Sequence, residues 1–311
     1  MKGDRGLDQK QKTSLTGTLF VLLAGICWGM SGLFVRRLSD TGLSTMQMTF
    51  FKVAVAGTIM LLYCALFRRD ALRVRLKDLW IFFGAGVFSL TFFTWCYFST
   101  IQATSMSTAA ILLYLAPTIV MLISAVLFKE KITKQKAVAC AMAFAGCVFV
   151  SGIIGNAVPL PLRALITGLL SALGYAFYSI FSQLALNRGY SALTMSTYAF
   201  LFATVTAIPF LHPADVAQIA AGRNPWTFFG LLALMSVTVS LLPYIFYTNG
   251  LKRTSPGTAS ITASIEPVTA TVIGALVFHE LPDFYGYLGI ALVLGAIVLL
   301  NLTFTKKASS E

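Results

Sequence analysis

The sequence predicts an all-α integral membrane protein, and three observations carry that expectation. Of its 311 residues, 57% belong to the hydrophobic set, and the mean hydropathy is +0.81. Only 11% are charged, where a soluble domain carries about 25%. The apolar residues also run in stretches of about 20, the length a helix needs to cross a bilayer. A water-soluble fold could not hide this surface. The composition therefore excludes a soluble enzyme, a disordered chain, a secreted disulfide scaffold and a nucleic-acid binder.

Ten apolar runs stand between polar breaks: 16–36, 45–67, 79–100, 105–128, 137–155, 164–186, 191–211, 226–248, 256–278 and 284–304. Only the breaks at 68–78 and 212–225 leave room for surface structure. No Ala-x-Ala cleavage site follows the first run, so it is expected to be a retained helix. The five cysteines lie inside apolar runs with no CxxC pair, which suits small buried hydrophobes. No metal site and no cofactor are expected.

Orientation follows from Lys and Arg. Eighteen of the 23 lie in the tails and in the loops on the same side as the N-terminus, including Arg68, Arg69, Arg73, Arg75 and Lys77. The opposite loops hold four: Arg36, Arg37, Arg163 and Arg223. The positive-inside rule then places both termini in the cytoplasm, with the chain in the inner membrane. The net charge of +12 is an orientation signal, not a nucleic-acid patch.

Sliding the chain against itself by 150 residues aligns 104–130 with 254–280, with ten of 27 positions identical. Pro117 meets Pro267, Phe128 meets Phe278, and Glu130 meets Glu280; Tyr97 and Tyr247 match at the same offset. Five helices per half is an odd number, so the second half enters the membrane inverted. The basic KEKITKQK after the fourth run and the lysine-free HELPDFYG after the ninth agree. The expectation is two inverted five-helix repeats around a central cavity, an architecture that carries substrate between its halves. The first spans 16–155 and the second 164–304, with cytoplasmic tails at 1–15 and 305–311.

These segments resemble the drug/metabolite transporter superfamily and, within it, the ten-helix EamA family. The resemblance rests on LLAGICWG in the first helix, Lys52 in the second and LLYLAPTIVMLISAVLFKEKIT in the fourth. In the second half it rests on SALGYAFYSIF and SIEPVTATVIGALVFHELPD. It implies a secondary transporter that exports amino acids or related metabolites, with helices 5 and 10 peripheral. Organic cations or drugs are the alternative cargo.

Glu266 is the sharpest single feature. About ten residues beyond Ser255-Pro256, it should lie roughly 15 Å deep, where an ionisable group marks a functional site by default. Proton exchange is the chemistry expected of it. The competing reading is a structural acid bonded to Tyr or Ser, or one capping backbone freed by Pro267. Lys52 is the only basic residue inside a span. It could face Glu266 or a substrate carboxylate, or its stem could snorkel outward. Trp28, Tyr114, Tyr175, Tyr178, Tyr244 and Ser264 are further lining candidates, each competing with plain core packing. Pro117 and Pro267 are the expected hinges, since proline removes a helical hydrogen bond. Gly25 and Gly29 read as a close-packing face. Glu130 and Glu280 end their helices, where gating or structural contacts are expected.

Two other classes compete. Gly29-Met30-Ser31-Gly32 matches the GxSG of an intramembrane serine protease, with His279 as a conceivable partner, but so short a match arises easily and a protease has no use for the duplication. An ATP-driven pump would need a GxxxxGK[ST] loop, which the chain lacks. The expected partners are therefore the lipid bilayer and a small-molecule substrate, with proton coupling, in a monomer or weak homodimer.

Overall fold

A computed structural model describes the backbone of residues 2–104, 106–154, 161–279 and 281–308. Side chains are described for 15–104, 108–154, 161–279 and 281–301. Among the described residues nine helices are long and apolar enough to cross a membrane. They are α1 (Leu15–Ser39), α2 (Thr45–Phe67), α3 (Leu76–Ala103), α4 (Thr108–Leu127), α6 (Leu162–Asn187), α7 (Ala192–Phe210), α8 (Pro225–Leu251), α9 (Pro256–Phe278) and α10 (Phe284–Asn301). The fifth apolar run forms α5 (Lys134–Val150), which has 17 residues. The chain is an all-α integral membrane protein. A short helix, Pro213–Ala221, fills the break before α8.

α5 starts three residues earlier than the hydropathy suggests, and the reason is local. Thr133 Oγ1 accepts the Lys136 N–H at 3.2 Å, so a cap draws two lysines into the first turn. The helix ends at Val150, just ahead of Gly152 with φ of 69°.

The packing repeats between the halves. α1 packs on α8 and α9, while α6 packs on α3 and α4. α2 packs on α7, and α5 packs chiefly on α10. At the last contact a Cβ added to Gly146 would stand 2.8 Å from the Gly289 carbonyl oxygen. Only glycine permits that approach, and dispersion across such small-residue faces is what holds helices together in lipid.

Local irregularities also recur near the 150-residue offset. α3 contains a π-helical stretch at Val87–Phe92 and α8 contains one at Ser236–Leu241. α4 is interrupted between Leu113 and Ala116, and α9 between Ala263 and Ile265. Lys129 and His279 each end their helix in the left-handed region, at φ of 55° and 57°. The expected hinges are therefore accompanied by a second pair of irregular sites, the π-turns.

Candidate functional site

The two interruptions build the site. Proline has no N–H, so Pro117 cannot bond the Leu113 carbonyl, nor Pro267 the Ala263 carbonyl. Each helix tightens just before its proline instead: Leu115 N–H reaches Leu112 O at 3.2 Å, and Ser264 N–H reaches Ile261 O at 3.2 Å. Leu113 and Ala263, the residues whose carbonyls are released, both line a small cavity together with Tyr114, Pro117, Tyr175, Ser264 and Glu266. About 10 Å³ is open to the centre of a water molecule, roughly one water's worth.

Glycines of α1 seat α9 beside it. A Cβ on Gly29 would fall 2.6 Å from the Glu266 carbonyl oxygen, and one on Gly25 would fall 3.1 Å from that of Ala263. The GxxxG face thus lets the α1 backbone reach the α9 break. That contact fixes the depth and rotation of Glu266.

Glu266 is half-buried, and its Oε2 accepts the Tyr175 hydroxyl at 3.1 Å. Lys52, on α2, is within the electrostatic reach of Glu266. Among the described residues it makes no ion pair within 4 Å. The two charges share a field without forming an ion pair.

Trp28 is the hub of an aromatic wall and is 8% exposed. Its ring lies 5.3 Å from both Tyr244 and Tyr247 and 6.1 Å from Tyr175. Tyr178 packs at 4.6 Å and 89° against Tyr244. The hydroxyl of Tyr178 is engaged away from the cavity, with Thr248 at 3.1 Å and Ser196 at 3.3 Å. The fold therefore gathers Glu266, Tyr114, Tyr175, Ser264 and Pro117 at one cavity and sets Trp28 and Tyr244 behind Tyr175. Tyr178 is a packing residue one layer further out, and Pro267 is buried on the turn after Glu266.

Three further residues near the cavity were not among the lining candidates that sequence reasoning named. Ser260 lines the cavity with its hydroxyl buried and unpartnered. Cys147, on α5, lies within the electrostatic reach of Glu266, as does Tyr97 on α3. Tyr97 and Tyr247 carried a signal, their match at the repeat offset. Ser260 and Cys147 carried none, because Ser and Cys are ordinary residues of membrane helices. Ser31 begins the last segment of α1 and His279 ends α9; among the described residues no hydrogen bond joins them.

A second cluster closes one end of the bundle. Glu130 Oε1 accepts Lys136 Nζ at 2.6 Å and the Ser255 hydroxyl at 2.5 Å, and Oε2 accepts the Gly257 N–H at 3.4 Å. The carboxylate thus caps the positive start of α9 from the far end of α4. Glu280, its sequence counterpart, lies outside the described residues.

The chain is similar to several bacterial transporters along nearly its whole length. It is 24% identical to the uncharacterized transporter YxxF of Bacillus subtilis, covering 96% of this chain and 93% of that one. It is 25% identical to the uncharacterized inner membrane transporter YicL of Salmonella typhimurium, covering 94% and 97%. It is 26% identical to the pseudopaline exporter CntI of Pseudomonas aeruginosa, covering 93% and 96%. A solved crystal structure superposes with a TM-score of 0.72 at 20% identity, covering 93% of this chain and 98% of the other, and establishes the shared fold. The profile of the EamA-like transporter family matches residues 15–152 and 162–302, and the chain belongs to that family of multi-pass membrane transporters of small molecules.

Proposed function

We propose that the protein is a secondary transporter that exports amino acids or related zwitterionic metabolites by alternating access, with Glu266 as its coupling carboxyl. The observation that carries this reading is a pair of opposite charges in the bundle: Glu266, at the cavity and held by Tyr175, and Lys52, outside the cavity lining but within the field of Glu266 and unpaired. A zwitterion brings an ammonium for the acid and a carboxylate for the lysine, with the Trp28 and Tyr244 wall for its apolar part. An organic cation would use Glu266 and the aromatic rings but would meet repulsion from Lys52, which makes it the second reading. The resemblance to a pseudopaline exporter supports outward movement of a metabolite.

The reading includes ten crossings in two inverted halves, 16–155 and 164–304, with both termini in the cytoplasm of an inner-membrane protein. Parity supports it. Thr18, near the start of α1, hydrogen-bonds Asn301 at the end of α10 at 3.1 Å, so an even number of crossings separates them. Gln135, at the start of α5, bonds the Leu299 carbonyl near that same end. Asp78, at the start of α3, bonds Arg188 and Tyr190 at the end of α6. Each contact needs α5 to cross. At 1.5 Å per residue its 17 residues rise about 25 Å, at the short end of what spans a bilayer. One chain carries the whole cavity, so a monomer suffices.

Transport then consists of exchanging which side of the cavity opens, with no covalent step. Proton exchange at the Glu266 carboxyl would couple that exchange to a pH gradient. The test is counterflow of labelled amino acids in liposomes with an imposed pH gradient. Wild type should show saturable flux and acceleration by substrate on the far side, and Glu266→Gln should fold yet lose the response to the gradient. Linear, unsaturable flux, or full gradient-driven transport by Glu266→Gln, overturns the reading.

A further inference from the structure

The loop between α2 and α3 meets the loop between α6 and α7. Asp78, buried, accepts hydrogen bonds from Arg188 and from the Tyr190 hydroxyl at 2.6 Å, and that hydroxyl accepts the Arg75 N–H at 3.2 Å. The Tyr198 hydroxyl donates to the Leu72 carbonyl at 2.9 Å. These bonds pin the two loops across a polar crevice of about 640 Å³, whose lining includes Arg73, Arg75, Arg188, Ser191 and Thr194.

The charges of the crevice do not cancel. Arg188 is engaged by Asp78. Asp70 also lines the crevice, but both its oxygens accept from Arg68 at 3.2 Å, and those bonds hold its carboxyl below the usual carboxylate range. Arg73 and Arg75 are exposed and, among the described residues, have no acidic partner within 4 Å. The crevice also opens at the start of α7, whose positive end adds to the arginines. Orientation in the membrane asks for positive charge in this loop. It does not ask for a walled crevice with two unspent guanidinium groups.

Apolar neighbours set the level of this feature. Leu76 is 84% exposed and Trp80 is 49% exposed, with the Arg188 guanidinium 5.5 Å above the Trp80 ring. Exposed Trp beside Arg is the pattern of a helix end at the headgroup layer.

We propose that this crevice binds a phosphate-bearing anion, held by the forks of Arg73 and Arg75. A guanidinium matches phosphate through two parallel hydrogen bonds, and two unpaired positive charges match a doubly or singly charged phosphate. The source is either the headgroup of an anionic phospholipid or a free phosphate compound, and the probes below separate them.

The experiment is thermal unfolding of the full chain in neutral detergent at fixed ionic strength. The additions are phosphatidylglycerol, phosphatidylcholine, inorganic phosphate and chloride. Saturating ligand should raise the melting temperature by about 5 °C, and Arg73→Gln/Arg75→Gln should abolish the rise. Because both side chains are exposed, that variant should melt like wild type without ligand. If it does not fold, Arg73→Gln alone serves, with retained phosphatidylglycerol counted by native mass spectrometry. A rise with phosphatidylglycerol alone identifies a lipid headgroup, and a rise with inorganic phosphate identifies a free phosphate ligand. No rise with either, or a rise that persists in the variants, overturns the proposal.

Discussion

Helix α4 is interrupted between Leu113 and Ala116, and α9 between Ala263 and Ile265; each then runs into a proline at the same repeat position. The residue before the proline is Ala116 in one and Glu266 in the other. The backbone device is duplicated, therefore, while the ionisable group is not. Both residues line the same cavity, and their partners differ. Ala116 is 1% exposed and packs with Val120, Ala172, Ala176 and Ile180. Glu266 has a hydroxyl donor and the field of Lys52. On the proposed reading, the symmetry would serve movement and the asymmetry the cargo.

The severest way to break the comparison is to make the halves alike. Ala116→Glu would place a second carboxyl at the cavity that already holds Glu266, against Val120, Ala172, Ala176 and Ile180. Burial of a second acid beside Glu266, like-charge repulsion and overpacking together should cost about 3 kcal/mol or more. The variant should be lost from the membrane fraction or run as an aggregate in detergent. A folded Ala116→Glu protein with normal transport would mean that the α4 wall tolerates the charge, and that the placement of Glu266 has no structural cause.

The ends of the same two helices offer the next test. Lys129 and His279 turn the chain in the left-handed region, and after the first of them Glu130 returns to cap α9 and hold Lys136. Glu130→Ala removes hydrogen bonds made by a charged acceptor, each worth about 1.5–3 kcal/mol, and leaves the start of α9 with the Ser255 cap but without its carboxylate. The melting temperature should fall, and cysteines placed near Ser255 should become more reactive toward a polar thiol reagent. Unchanged stability with unchanged labelling would reduce the cluster to a surface contact.

How far these features could be read from the sequence depends on their physics. Glu266 was legible because a carboxyl inside an apolar run is costly and therefore rare. The breaks were legible because proline removes an N–H wherever it stands. The π-turns at Val87–Phe92 and Ser236–Leu241 were not, since one extra residue per turn leaves no mark in composition or periodicity. Tyr178 and Tyr175 lie three residues apart on one helix and look equivalent. Only the fold reveals that Ser196 and Thr248 meet the first and Glu266 the second. Ser260 was hidden for the same reason, being one serine among many until its neighbours are known.

Tyr175 links wall and charge, so its hydroxyl is the next lever. Tyr175→Phe keeps the ring against Trp28 and Phe93 and removes only the donor to Glu266. A hydrogen bond to a charged group is worth about 1.5–3 kcal/mol, so gradient-driven transport should fall by about tenfold or more. Thermal stability should change little, because the cavity can supply a water in the hydroxyl's place. A loss of stability with transport intact would make the bond a strut and remove it from the coupling path.

The smallest expected effect is the most direct comparison of the halves. Tyr97 and Tyr247 occupy matching positions of α3 and α8, but their hydroxyls differ in fate. Tyr247 shares a hydrogen bond of 2.7 Å with Ser179 and is 3% exposed. Tyr97 packs its ring 6.1 Å from Phe93 and, among the described residues, makes no side-chain hydrogen bond. Tyr247→Phe should therefore cost about 1 kcal/mol, and because it strands the Ser179 hydroxyl, the added change Ser179→Ala should restore part of the loss. Tyr97→Phe should leave stability within experimental error, since it removes a hydroxyl that no group among the described residues receives. Any effect it has should fall on transport, through the reach of that hydroxyl toward Glu266. Equal destabilisation by the two substitutions would mean that the matching tyrosines are framework in both halves. A transport defect confined to Tyr97→Phe would place the functional asymmetry in α3 as well as α9.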